Sequence, residues 1–212
     1  MSEYPPVPPL PTPLRSEAIA PTARLYVDRQ ALVAGLSPRG GVVAEIGVAF
    51  GDFSQFIIDS THPRRFDAYD VFKIHTMETF WGKPTTEWLH NMTHRDFFED
   101  RFKEQVAAGT VRVIEGDSAE CVANQPSQTY DMIYVDGGHS LAQVQGDTRA
   151  ALHAIKEDGL LIFNDYIIYD YWHHKHYGIV HVVNDLLDNS DWQIVGFAFR
   201  NDMFCDIALK RP

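Results

Sequence analysis

Residues 130–140, Y-D-M-I-Y-V-D-G-G-H-S, constrain this chain more than any other stretch: they read as a buried β-strand that ends in a carboxylate and an imidazole three residues apart. Ile133 and Val135 are β-branched and belong in a sheet interior, which delivers Asp136 and His139 to the carboxyl edge of that sheet, where open α/β folds bind ligands. Gly137 and Gly138 permit a sharp turn and a close approach of backbone to a ligand. Taken alone, such a strand end is as readily a plain polar turn, so its meaning depends on what the rest of the chain places beside it.

The rest of the chain alternates strands and helices. Residues 42–46, 66–72, 111–114, 131–135 and 160–163 read as short buried strands, and residues 52–59, 93–108, 141–155 and 179–187 as helices between them. Thr93 is placed to cap its helix with Asp96 in the first turn, and Phe98, Phe102 and Val106 repeat on one face. Such alternation predicts a doubly wound, Rossmann-like α/β fold: a mainly parallel sheet with helices on both faces. Residues 192–199 and 203–209, joined by Arg200-Asn201-Asp202, predict a closing antiparallel hairpin. Residues 22–36 carry a helical apolar pattern that Pro38-Arg39-Gly40-Gly41 ends. Six of the twelve prolines fall in the first thirteen residues, so residues 1–20 are expected to form an extended arm, either disordered or lying across a neighbouring subunit of a homodimer; residues 21–212 form the domain.

A length of 212 residues, 45% hydrophobic and 22% charged, suits one soluble globular domain. The formal net charge of -11 repels polyanions and argues against nucleic-acid binding. Cys121 and Cys205 follow no metal or redox spacing, as expected of free thiols in a reducing cytosol. No apolar run approaches the roughly 20 residues that span a bilayer, and no secretory signal pattern is visible, so the expected location is cytoplasmic, away from membranes.

The first of the buried strands runs into E-I-G-V-A-F-G-D-F-S, residues 45–54, where two glycines four apart let the backbone pass beneath a ligand. The dinucleotide pattern G-x-G-x-x-G is absent, and Glu45 would repel a pyrophosphate but attract an ammonium. Asp70 ends the next strand, where a carboxylate can accept hydrogen bonds from a ribose diol. Glu115-Gly116-Asp117-Ser118 ends the third. Each acid alone is more often a solvated turn residue; acids at three successive strand ends, with Asp136 on a fourth, point to a ligand crevice.

These motifs together resemble the class I S-adenosylmethionine-dependent methyltransferases. D-G-G-H-S, then G-L-L-I-F-N-D-Y (159–166), then Y-G-I-V-H-V-V-N-D-L-L, are similar to the small-molecule O-methyltransferase branch that includes macrocin-type and catechol-type enzymes. The resemblance implies a seven-stranded sheet with a reversed last strand and S-adenosylmethionine as cofactor. It implies that Glu45, Gly47 and Gly51, with Ala49 and Ser54 in the same motif, line the methionine end, that Asp70 holds the ribose, that Asp117 and Ser118 sit near the adenine, and that Asp136 borders the cofactor. Ala49 stands where many members have glycine, and Gly138 replaces the acid of the commoner D-G-D-H-S.

His139 is the candidate general base, since an unperturbed imidazole is largely neutral at cytosolic pH, and Asp136 is the candidate residue for orienting the acceptor. Asp136, Asp165 and Asn164 offer hard oxygen ligands suited to Mg²⁺. Residues 73–91, with Phe80, Trp81, Trp88, His75 and His90, form a candidate lid. Residues 166–177 are denser in rings, and their three histidines are read as pocket wall or dimer contact rather than as a zinc site. The expected function is methyl transfer to a hydroxyl of a small metabolite such as a phenol, sugar or natural product. The alternatives are N-methyl transfer on the same fold and a non-catalytic cofactor-binding partner subunit.

Overall fold

The computed structural model describes residues 9–212. Eight strands form the central sheet: β1 (Ile19–Tyr26), β2 (Val42–Ile46), β3 (Arg65–Asp70), β4 (Val111–Glu115), β5 (Tyr130–Val135), β6 (Ile155–Phe163), β7 (Gln193–Ala198) and β8 (Asp206–Lys210). Their order is β1-β7-β8-β6-β5-β2-β3-β4. All pairs are parallel except those of β8, which runs antiparallel to both β7 and β6. The helices are α1 (Arg29–Leu36), α2 (Asp52–Thr61), α3 (Thr85–Leu89), α4 (His94–Arg101), α5 (Lys103–Ala107), α6 (Ser118–Ala123), α7 (Leu141–Ala154) and α8 (Ile179–Asp188).

The central strands β2, β5 and β6 are apolar on both faces, as a sheet covered twice requires, and two apolar clusters fill the two layers. One layer packs Val144, Ala151 and Val183 of α7 and α8 on the sheet; the other packs Leu32, Ile57, Phe98 and Phe102 of α1, α2, α4 and the residue after it. The seven predicted strands are present, closed by the predicted hairpin. No helix among the described residues is long and apolar enough to cross a membrane.

Three expectations change. The helix expected over residues 22–36 is a strand, β1, followed by the shorter α1: Pro21 cannot donate to a ladder, but an edge strand tolerates it, and β1 adds an eighth strand beside β7 with its register shifted between Ile19 and Arg24. The helix expected over 93–108 breaks at Phe102, whose backbone (φ -108°, ψ 23°) leaves the helical region; Thr93 caps its start as expected, accepting the Asp96 N–H at 3.1 Å. The short helix α6, unforeseen, starts where Asp117 caps it. Residues 1–8 of the proline-rich arm lie outside the described residues. The part that follows lies on α8 of the same chain: Thr12 donates to Asp185 at 2.7 Å, Arg15 pairs with Asp188 at 3.0 Å and Asn184 donates to the Thr12 carbonyl at 2.6 Å.

Beneath β3 and β5, the fully buried Asp67 accepts two hydrogen bonds from Arg112 (2.8 and 3.0 Å) and one from Tyr130 Oη (2.7 Å), with Arg65 at 3.2 Å. A buried carboxylate so paired is costly to disturb, because its partners are left unsatisfied. Asp67→Ala is expected to cost about 3 kcal/mol, read from urea unfolding, whereas Arg112→Met, which removes the half-exposed partner, is expected to cost less.

Candidate active site

The strand ends of β2, β3, β4, β5 and β6 converge on one edge of the sheet. After β2 the chain turns at Gly47, whose φ of +82° is open to glycine and whose missing Cβ would fall 2.2 Å from the Asp136 carbonyl oxygen. This contact draws the ends of β2 and β5 together, and the Asp136 N–H completes it by donating to Ile46 at 2.8 Å. Ala49 also lies in the left-handed region (φ +42°), a conformation that costs a non-glycine residue roughly 1 kcal/mol. The buried His94 compensates: its Nε2 donates to the Ala49 carbonyl at 2.5 Å. Gly51 then opens α2.

Glu45 and Ser54 are both buried beneath this turn, and the Ser54 hydroxyl donates to Glu45. Burial pushes the Glu45 carboxyl from 4.5 up to about 8, although the Ser54 hydrogen bond and Arg29 oppose the shift. Asp70, at the end of β3, accepts the N–H groups of Val48 (3.0 Å) and Phe72 (2.8 Å), so it holds the glycine turn. The Gly116 N–H donates to the Asp70 carbonyl at 3.0 Å and brings Asp117 beside it. Asp117 caps α6 through Glu120 N–H at 3.1 Å, and Ser118 donates to Asp147 of α7 at 2.5 Å. Glu45, Gly47, Ala49, Gly51, Ser54, Asp70, Asp117 and Ser118 thus share one edge, though Ser54 and Ser118 spend their hydroxyls on protein acids.

Beside them, His139 Nε2 lies 3.9 Å from Asp136 Oδ1 and 3.6 Å from Asp165 Oδ2, buried and without a hydrogen-bond partner among the described residues. Its ring stacks on Tyr177 at 4.4 Å between centroids and 5° between planes, which fixes the imidazole. Burial lowers its pKa from 6.5 to about 4, leaving it neutral. Asp165, held at φ +53°, is pushed by burial up to about 7, against Arg200 at 3.7 Å. Burial likewise raises Asp136, opposed by Arg29 at 3.4 Å.

Asn164 does not join this group. Its amide nitrogen donates to Asp206 (3.1 Å) and Tyr134 Oη (3.4 Å), and Tyr134 donates to Asp206 at 2.5 Å, all buried. The set of Asp136, Asp165 and Asn164 expected to hold Mg²⁺ therefore does not fit. The amide nitrogen is turned to Asp206, each acid already faces a guanidinium, and no cluster of three or more His, Cys, Asp or Glu suited to a metal occurs among the described residues. Both residues follow the end of β6, and the backbone turns there through the left-handed region at Asp165 (φ +53°).

The two ring-rich segments are built differently. In residues 73–91 a small ribbon and α3 clamp Phe50 of the glycine turn: Trp88 stacks on it at 5.0 Å, and Phe80 and Trp81 meet it edge-on at 5.5 Å. A cavity of about 360 Å³ lies there, lined by Phe50, Lys83, Trp88 and Arg101 among others, and touches none of Asp136, His139 and Asp165. In residues 166–177, Asp170 is the organiser. Burial would raise it, but hydrogen bonds from His173 (N–H at 3.0 Å, Nδ1 at 2.6 Å), Tyr177 (2.8 Å) and Trp172 N–H bring it down to about 2. His173 is thereby spent on Asp170, and His174 and His176 lie against Tyr169. Arg29, Tyr134, His94 and Asp206 carry no local pattern that marks them for this site, and Tyr177 stands out only as one ring among those of residues 166–177. An acid inside the apolar run F-C-D-I-A-L was the one visible signal.

Residues 44–166, more than half of the chain, match the family described as a methyltransferase domain. No curated protein matches. Similar solved structures include the pyocyanin biosynthetic protein PhzM (15% identity, TM-score 0.58, 88% of this chain and 55% of that one). The B. subtilis tRNA methyltransferase TrmK (14%, TM-score 0.57, 87% and 65%) and an rRNA methylase from Streptococcus thermophilus (10%, TM-score 0.58, 86% and 93%) are also similar. The chain spans only 55 to 65% of the length of the first two, and at these identities the likeness is one of fold.

Glu45→Gln keeps a partner for Ser54 but removes the buried ionisation. Because the folded state holds the Glu45 proton more tightly than the unfolded chain, the native protein loses stability as pH rises from 4.5 to about 8, and the variant does not. The variant is expected to gain roughly 2–4 kcal/mol over the parent at pH 8 and little at pH 4.5, measured by denaturant unfolding at both.

Proposed function

Since the chain belongs to the methyltransferase-domain family, we propose that it binds S-adenosylmethionine across the ends of β2, β3, β4 and β5 and transfers the methyl group to a hydroxyl of a small metabolite. The observation that carries the reading is His139 Nε2, buried, neutral and unpartnered at the edge where the strand ends meet.

The acceptor oxygen attacks the sulfonium methyl in line, the S–C bond breaks, and its electrons neutralise the sulfur as a thioether. Holding the two reactants in line supplies roughly 7–11 kcal/mol, and a placed base about 10²- to 10⁴-fold. The hydroxyl proton goes to His139 Nε2. The imidazolium so formed faces the ionised Asp165 at 3.6 Å, which stabilises its charge. His139 and Asp165 titrate as a couple, and the competent form has neither protonated. Asp165 sits near 7, so the rate rises with pH through about 7 and then levels. Acids along the strand ends and a net charge of -11 favour a neutral or cationic small acceptor over an RNA. The tRNA and rRNA methylases with this fold share 14% and 10% of the sequence, which shows the fold and not the acceptor.

Calorimetry with S-adenosylhomocysteine tests the cofactor, and absence of binding to the folded protein would sink the reading. For the base, His139→Ala is expected to lower kcat about 10²- to 10⁴-fold on a responsive hydroxyl acceptor while cofactor affinity stays within about threefold. Unchanged turnover would move the base elsewhere, and with an amine acceptor it would favour N-methylation.

A further inference from the structure

Arg29 is the first residue of α1, a helix capped by Asp28, whose carboxylate accepts the Ala31 N–H at 2.7 Å. From there its guanidinium crosses to the carboxyl edge, lies 3.9 Å over the Phe53 ring of α2, and reaches Asp136 at 3.4 Å. That contact is long beside the 2.7–2.9 Å usual for a charge-assisted hydrogen bond. A guanidinium carries five N–H donors in a fixed fork; this one faces Tyr134 and Asp136, and its other donors are open to a ligand.

Its surroundings are acidic. Arg29 lowers the proton affinity of Glu45, Asp136, Asp165 and Asp206, so one cation serves four carboxyls. Arg200, the other cation at this edge, is held by Asp202 at 3.0 Å and faces Asp165 at 3.7 Å. S-adenosylmethionine has two cations, its sulfonium and its ammonium, and one anion, its carboxylate. The acids suit the two cations, while the carboxylate needs a planar, permanently charged partner at the end of β2. Arg29 is the group of that kind there.

We infer that Arg29 receives the carboxylate of the cofactor's methionine end, shifting from its long contact with Asp136 while Phe53 holds the plane of the fork. This rests on S-adenosylmethionine being the cofactor. It assigns a ligand contact to α1, outside the residues 44–166 that match the family.

The test uses the full chain and three probes in calorimetry: S-adenosylhomocysteine, its decarboxylated analogue, and 5′-methylthioadenosine. The first two share the ammonium, so their comparison isolates the carboxylate. Arg29→Met is expected to weaken S-adenosylhomocysteine about 10- to 100-fold while leaving the other two within about threefold, and Arg29→Lys to recover part of the loss. Retained affinity for 5′-methylthioadenosine shows that the variant is folded. Equal weakening of all three probes, or an unchanged affinity for S-adenosylhomocysteine, would overturn the assignment and leave the cofactor reading standing. If the parent protein binds none of the three, the cofactor reading fails and the assignment falls with it.

Discussion

Carboxyl groups crowded and buried at the carboxyl edge of the sheet are the constraint that the rest of the site answers. Glu45, Asp136, Asp165 and Asp206 are each raised above the ordinary carboxylate range, and burial is the first cause in every case. Four such groups stay close only because neighbours offset the repulsion and the lost hydration. Arg29 faces Asp136, Arg200 faces Asp165, Ser54 binds Glu45, and Tyr134 with Asn164 holds Asp206. What remains is an edge lined by carboxyl oxygens, which suits a sulfonium cofactor better than a pyrophosphate.

Each half of that edge is tied to its own ring-rich segment. Phe50, inside the glycine turn, is packed by rings of residues 73–91, and His94 holds the neighbouring Ala49 carbonyl, so the backbone of this turn is fixed from outside the sheet. Tyr177 stacks on His139 and donates to Asp170, which orders residues 166–177. Movement of the first segment would act on the glycine turn, and movement of the second on the imidazole.

Most of the architecture was legible in the sequence. Strands β2 to β8 and helices α2, α7 and α8 follow from apolar runs and their punctuation, which act within a few residues. The cap at Thr93 is equally local. Strand β1 was misread because Leu25, Tyr26, Leu32, Val33 and Leu36 fit a helical period, while the edge of β7 that β1 covers lies about 170 residues away in the chain. Helix α6 has too few apolar residues to show a period.

In the site, the sequence by itself determined which acids stand at which strand ends, and that Asp136 and His139 leave one strand together, because strand geometry delivers consecutive residues to a known edge. Only the tertiary structure decided what each acid faces. Asn164 turns to Asp206, a residue of a strand 42 positions later, and Arg29 reaches Asp136 across 107 positions. Hydrogen bonds and ion pairs act over a few ångströms. Their partners are chosen by strand order, which no local pattern encodes.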